Sequence, residues 1–317
     1  MRMRWRVVAQ GGVTILVVAF VARAVASNWD DFRSMDVSLH PRADWLTVSV
    51  AATLVTYVLQ IESWRRVLAG WRQAIEFVPA ARAWCLANLG RYVPGKVWSV
   101  AGLVVMARQR GVESWAAAAS AVVIQAIGVG TSLAAIIMTL PGRLPGLFLG
   151  GGAVIVLALA GGAAIAGLTL FALHSHWAVG RIGRLVGERG SVLRPLPVRA
   201  TVAAGVLTLA SWMTYGVAFW SLARGLGLGA ALTPPTAIGV FALGYIAGLL
   251  ALFAPGGVGV REAAFGLLLA PVMGPGSAVG LSVASRLLLT VMEVAAAGIT
   301  VLAARARSEQ PKESSNV

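Results

Sequence analysis

The chain has 317 residues, 58% of them hydrophobic and 12% charged, a balance that a lipid bilayer absorbs and a soluble core does not. Runs without Asp, Glu, Lys or Arg cover residues 114–142, 144–180, 200–223 and 225–260; each nears or exceeds the ~20 residues that cross ~30 Å of hydrocarbon, and none alternates in ~10-residue segments, which excludes a globular core and a β-barrel. The formal charge of +14 has no soluble basic face to occupy, which excludes nucleic acid as a partner.

The fold class is therefore all-α, a polytopic transmembrane helical bundle. Residues 1–304 read as one integral membrane domain and 305–317 as a polar, disordered tail. Val7 to Ala26 is the first predicted span. It follows Arg2, Arg4 and Arg6 and ends in Ala24-Val25-Ala26, an outline that fits both an uncleaved anchor and a cleaved leader. Arg23, near its outer end, can snorkel to the interface. After an acidic loop with Asp30, Asp31, Asp36 and Asp44, Trp45 to Ile61 returns as the second span. Arg65 to Arg82 then reads as an interfacial amphipathic segment, with Trp64, Trp71 and Trp84 at headgroup depth.

Ala83 to Met106 is apolar, yet Arg91, Pro94, Gly95 and Lys96 cut it, and basic loops flank it on both sides. Each arm of about ten residues rises ~15 Å, half the hydrocarbon thickness, so this segment is predicted to be a re-entrant hairpin that enters and leaves on one side. Trp115 to Leu140 and Leu147 to Leu173 are predicted spans joined by the turn Pro141-Gly142-Arg143-Leu144-Pro145-Gly146. A basic loop precedes the span Ala200 to Leu222. Thr236 to Phe253 stops at Ala254-Pro255-Gly256-Gly257-Val258-Gly259-Val260-Arg261-Glu262, and Ala263 to Met273 is too short to cross alone, which makes a second broken element. Ala278 to Ala304 is the last span and carries Arg286 and Glu293.

Placing residues 1–6, 65–113, 174–199 and 305–317 on one side gathers 19 of the 26 Lys and Arg, which puts both termini in the cytoplasm. The bias of 24 Arg to 2 Lys, with abundant Ala and Gly, hints at a GC-rich bacterial genome, and the expected location is the bacterial cytoplasmic (inner) membrane. Span, hairpin and span over 45–140 recur in reverse direction over 200–304. Interrupted segments in matching positions of inverted halves point to a transporter's binding site.

Two constellations carry the chemistry. Around the first break, Asn88, Arg91, Tyr92, Pro94, Gly95 and Lys96 combine exposed backbone amides with two cations, an arrangement suited to phosphate; the plainer alternative is a basic loop meeting bulk headgroups. Around the second, Pro255, Gly256, Gly257 and Gly259 lead into Arg261 and Glu262, charges that are costly in a membrane and mark function; the alternative is glycine for helix packing. Arg286 and Glu293 are seven residues apart and share a helix face. Either Arg286 pairs with Glu262 and Glu293 with Arg261, or these side chains touch substrate. Enzyme chemistry finds little support, since His174 and His176 lack acidic or thiol neighbours and no hydrolase or metalloprotease motif occurs, so neither a metal nor a cofactor is expected. Cys85 stands alone and cannot form an intrachain disulfide.

Asn88, Gly90, Arg91, Tyr92, Pro94, Gly95 and Lys96, then Gly102, Arg108 and Gly111, and finally Pro255 to Glu262, resemble the transmembrane region of lysylphosphatidylglycerol synthases, a flippase-like family often found without the synthase domain. The resemblance runs from about residue 5 to 304. It implies movement of a lipid or lipid-linked substrate between leaflets. Only 13 residues follow Ala304, so the aminoacyl transferase that accompanies this region in the multiple peptide resistance factors is not expected in this polypeptide. Many relatives carry Glu where this chain has Gln125, which bears on any role for a cation or proton there. The expected function is transport of a phosphate-bearing lipid or a polyprenyl-phosphate glycolipid, with membrane lipids and a separate lipid-modifying or glycosyl transferase as partners. The alternative is a membrane-embedded lipid or glycosyl transferase, or an accessory subunit of one; a third is a scaffold.

Overall fold

A computed structural model describes residues 41–92, 97–140, 153–175, 194–228, 231–250 and 260–309. Nine α-helices occupy them: α1 (Ala43–Gly70), α2 (Phe77–Asn88), α3 (Val97–Arg108), α4 (Ser114–Thr139), α5 (Ala153–His174), α6 (Val198–Gly225), α7 (Pro234–Leu250), α8 (Val260–Met273) and α9 (Pro275–Glu309). No strand occurs among the described residues. Four helices, α1, α4, α6 and Pro275–Ala303 of α9, are long and apolar enough to cross a membrane. The predicted span Val7 to Ala26 and the turn at 141–146 lie outside the described residues.

The 28 residues of α1 rise about 42 Å, so the helix outlasts the hydrocarbon and takes in residues expected to lie apart from it. Glu62 accepts hydrogen bonds from both Arg65 and Arg66, three and four residues on, which keeps this charged turn helical. The helix stops only at Gly70, with Arg72 in the left-handed region at φ 61°. Residues 77–82 then join α2, where Pro79 sits in the first turn and costs no hydrogen bond. The separate interfacial segment expected at 65–82 is thus divided between two helices. Its tryptophans face protein: Trp64, Trp71 and Trp84 are 0%, 6% and 9% exposed. The indole of Trp64 donates to Ser120 Oγ at 3.0 Å and that of Trp71 to the Arg194 carbonyl at 3.0 Å, so each packs as a core residue with its N–H satisfied.

The first broken element is a helical hairpin. α2 and α3 have 12 residues each, about 18 Å of rise and too short to span. A 3-10 turn, Leu89–Tyr92, caps the first arm. Gly102 faces Ala87, and Gly90 faces Ser99 so closely that a Cβ would lie 2.7 Å from the Ser99 amide nitrogen, a register that is antiparallel. Glycine at 90 is required by this approach, not by its torsion angles. In the second broken element α7 and α8, 17 and 14 residues long, rise about 25 and 21 Å, and Gly244 lets α7 lie against the Phe265 ring of α8. Gly274, at φ 84°, separates α8 from α9. α9 continues past Ala304 to Glu309. Pro94, Gly95, Lys96, Pro255, Gly256, Gly257 and Gly259 lie outside the described residues.

α1 and α6 form the most extensive helix pair. Arg42 N–H donates to the Gly225 carbonyl at 2.8 Å, Ser49 Oγ to the Ala218 carbonyl at 2.7 Å and Ser63 Oγ to the Ala204 carbonyl at 2.9 Å. As one number rises the other falls, so the helices are antiparallel along their length. The hairpins are exchanged between the halves: α2 packs on α9, and α7 packs on α4.

Candidate functional site

Both hairpins meet α1, α4, α6 and α9 around a cavity of about 120 Å³, where ~10–15 Å³ holds one water. Asn88 and Arg91 reach it from the first hairpin, and Phe241, Tyr245 and Arg261 from the second. The two constellations, 170 residues apart in the chain at Arg91 and Arg261, therefore share one space.

Arg91 stands between that space and a buried carboxylate. Its Nη1 donates to Glu293 Oε1 at 2.8 Å and its Nη2 to Asn88 Oδ1 at 2.8 Å. The Tyr92 hydroxyl donates to the other Glu293 oxygen at 2.8 Å and lies 3.1 Å from Thr290 Oγ1. The Glu293 side chain is 3% exposed and that of Arg91 39%, so the arginine hides the carboxylate and keeps its own face open. The 3-10 turn makes this geometry by placing Asn88 and Arg91 three residues apart on one side.

Arg261 is held differently. Its guanidinium lies 4.7 Å from the centre of the Phe241 ring and 5.0 Å from that of Phe265, an arrangement that favours a cation. Its Nη2 is buried and has no hydrogen-bond partner among the described residues, and the same holds for Asn88 Nδ2. The Asn88 amide is oriented by the bond its Oδ1 accepts from Arg91, so the free group is a donor. Arg286 is ion-paired with Glu262, as one sequence alternative has it. The other half of that alternative is corrected: Glu293 pairs with Arg91 rather than Arg261. Among the described residues of this cluster two cation-anion pairs thus cancel, and Arg261 is the surplus charge.

Of the residues singled out in the sequence, Asn88, Arg91 and Arg261 line the cavity, whereas Tyr92, Glu262, Arg286 and Glu293 are not among its lining and hold partners behind it. Gln125, where the resemblance drew attention to a missing Glu, and Trp84, expected at headgroup depth, also line it; the wall that sequence reasoning missed consists of Trp212, Tyr215, Phe241 and Tyr245, with Gln60 and Thr208 between them. Tyr215 and Tyr245 did carry a signal: a phenol in the middle of an apolar run needs a polar neighbour, and Tyr245 finds Gln125 Oε1 at 3.5 Å.

Among the described residues, four membrane-length helices and two broken pairs closing on a cavity that carries two arginines define an integral membrane protein with a buried site. The sequence matches the family described as the lysylphosphatidylglycerol synthase transmembrane region over residues 7–297, and the chain belongs to that family. No curated protein matches it significantly.

Proposed function

We propose that this protein is a flippase-like transporter that moves a phosphate-bearing lipid, or a polyprenyl-phosphate-linked glycolipid, between leaflets. The observation that carries this reading is a pair of buried donors with no acceptor among the described residues, Arg261 Nη2 and Asn88 Nδ2, on two side chains that line one cavity. Buried donors rarely go without partners, and what complements two of them beside a surplus guanidinium is an anion that only accepts, as phosphate does. A headgroup crossing bare hydrocarbon would lose its hydration at roughly 2–7 kcal/mol per unpaired polar group and far more for the charge. Arg91, with Lys96 beside the break, receives the phosphate from the cytoplasmic side, and Arg261 receives it from the outer half, while the acyl chains stay in lipid. Rocking of one half against the other alternates access between the two stations. The protein sits in the bacterial inner membrane with both termini in the cytoplasm, and works with membrane lipids and a separate lipid-modifying or glycosyl transferase.

The test is reconstitution into liposomes with fluorescent phosphatidylglycerol. Redistribution between leaflets without a co-substrate is expected, and Arg261→Ala and Lys96→Ala should each abolish it. Turnover that appears only with an added donor would instead identify a transferase.

A further inference from the structure

The chemistry of the cavity wall narrows the headgroup, an inference that rests on the transport reading above. Two cations face the cavity, Arg91 and Arg261, and among the described residues lining it there is no carboxylate and no imidazole. Glu293 lies behind Arg91 and is bound to it, and Glu262 is bound to Arg286. An ammonium group in this space would meet two guanidinium groups and no anion. Cation-π attraction does not remove the conflict, because Arg261 is already seated against Phe241 at 4.7 Å.

The rest of the wall is neutral and of two kinds. Tyr245, Trp212, Tyr215 and Phe241 form a continuous aromatic surface, with successive ring centres 4.7, 6.1 and 4.9 Å apart. Gln60 and Gln125 supply amides that can both donate and accept. Flat apolar faces beside bifunctional amides suit carbon-bound hydroxyls, whose C–H groups pack on rings while their O–H groups exchange hydrogen bonds.

We infer that the cavity selects a phosphodiester lipid whose headgroup is otherwise uncharged and rich in hydroxyls, glycerol or a sugar, and that Gln125 sets this selection by presenting a neutral amide where a carboxylate would admit an amine. A phosphodiester brings one negative charge, which the surplus charge on Arg261 answers. Gln125 is the position to test because Gln and Glu have the same shape, so the change alters charge and little else.

The experiment is equilibrium binding of dioctanoyl phosphatidylglycerol, phosphatidylinositol, phosphatidylethanolamine and phosphatidylcholine to the full-length protein in detergent, read by intrinsic tryptophan fluorescence. The first two should bind at least about tenfold more tightly than the last two, the scale on which an unpaired charge is rejected. In Gln125→Glu the preference should shrink, with phosphatidylethanolamine gaining and phosphatidylglycerol losing affinity. Phosphatidylinositol ahead of phosphatidylglycerol supports a ring seated on the aromatic wall, and parity supports an open polyol. Equal binding of all four by wild type, still weakened by Arg261→Ala, would overturn the headgroup assignment and leave the anion site standing. An unchanged order in Gln125→Glu would remove that residue from selection. Binding of none of the four would overturn this inference, while the transport reading is decided separately by redistribution of lipid in liposomes, and because the four-lipid comparison uses wild type, it stands even if a variant does not fold.

Discussion

The three arginines of the site are predicted to separate by experiment because their partners differ. Arg286→Ala removes one ion-pair partner of Glu262, so stability should fall by roughly 1–3 kcal/mol, less than the ~3–5 of a fully buried pair because the Glu262 side chain is 26% exposed. Arg91→Met strands a carboxylate that is 3% exposed, and the loss should approach the full ~3–5 kcal/mol; Arg91→Met with Glu293→Met should recover most of it, a coupling that a double-mutant cycle in detergent unfolding measures. Arg261→Ala breaks no ion pair. It loses ring contacts worth about 0.5–2 kcal/mol and relieves the burial of an unpaired donor, so stability should stay within about 1 kcal/mol of wild type while transport disappears. Equal loss of fold and transport in Arg261→Ala would make that residue structural. The charged residues were legible in the sequence because charge in an apolar run is expensive and must have a reason. Their pairing was not. The seven-residue spacing of Arg286 and Glu293 shows that they share a face of α9, but spacing along one helix carries no information about which hairpin meets that face. The aromatic wall was illegible for a simpler reason: Trp212 and Phe241 are ordinary residues in a membrane helix until the fold turns them toward one cavity.

The first hairpin depends on a backbone approach that no side chain can relax. A Cβ at Gly90 would lie 2.7 Å from Ser99 N and 2.8 Å from the Trp98 carbonyl carbon, and both are main chain of the opposite arm. Gly90→Ala should therefore cost about 1–3 kcal/mol and displace Arg91, so binding should weaken along with stability. Gly111→Ala meets no atom within 4 Å but sits at φ 85°, and its cost should be confined to backbone strain of about 1 kcal/mol. Because both arms are too short to cross, reporters fused after Trp71 and after Arg110 should both report cytoplasm; opposite signals would make 83–106 a span and reverse the orientation of all that follows. The breaks themselves were readable from Pro94 and Gly95 and from the glycines after Pro255. The start of the first arm was not, since Arg65, Arg66 and Arg72 have the composition of a surface segment. The pairing of Glu62 with Arg65 and Arg66 and the late stop at Gly70 reveal that these two arginines belong to α1.

At the scale of the whole molecule, inverted order along the chain led to the expectation of two halves running in opposite directions, and the antiparallel pairing of α1 with α6 agrees with it. What the order could not convey is the exchange, in which each hairpin packs on the closing span of the other half. Neither half can then complete the cavity: Asn88, Arg91 and Gln125 come from the first, and Trp212, Tyr245 and Arg261 from the second. The interface joining them is polar inside the membrane, with Ser49 bound to the Ala218 carbonyl at 2.7 Å, Thr56 to Thr214 at 2.6 Å and Ser63 to Thr208 at 2.8 Å. Such bonds average about 0.6 kcal/mol each and reach ~1.7, so three of them with continuous packing can hold helices together without a covalent link. A chain cut within residues 176–193 and produced as two polypeptides should therefore reassemble. Co-purification of the halves through a tag on one of them, with recovery of lipid transport in liposomes, is the expected result, while either half alone should be inactive. Ser49→Ala, Thr56→Val and Ser63→Ala together should weaken co-purification of the cut protein far more than they lower the stability of the intact one, because the intact chain holds its halves at high effective concentration. Transport by a single half would show that the cavity shared between the two is not the site.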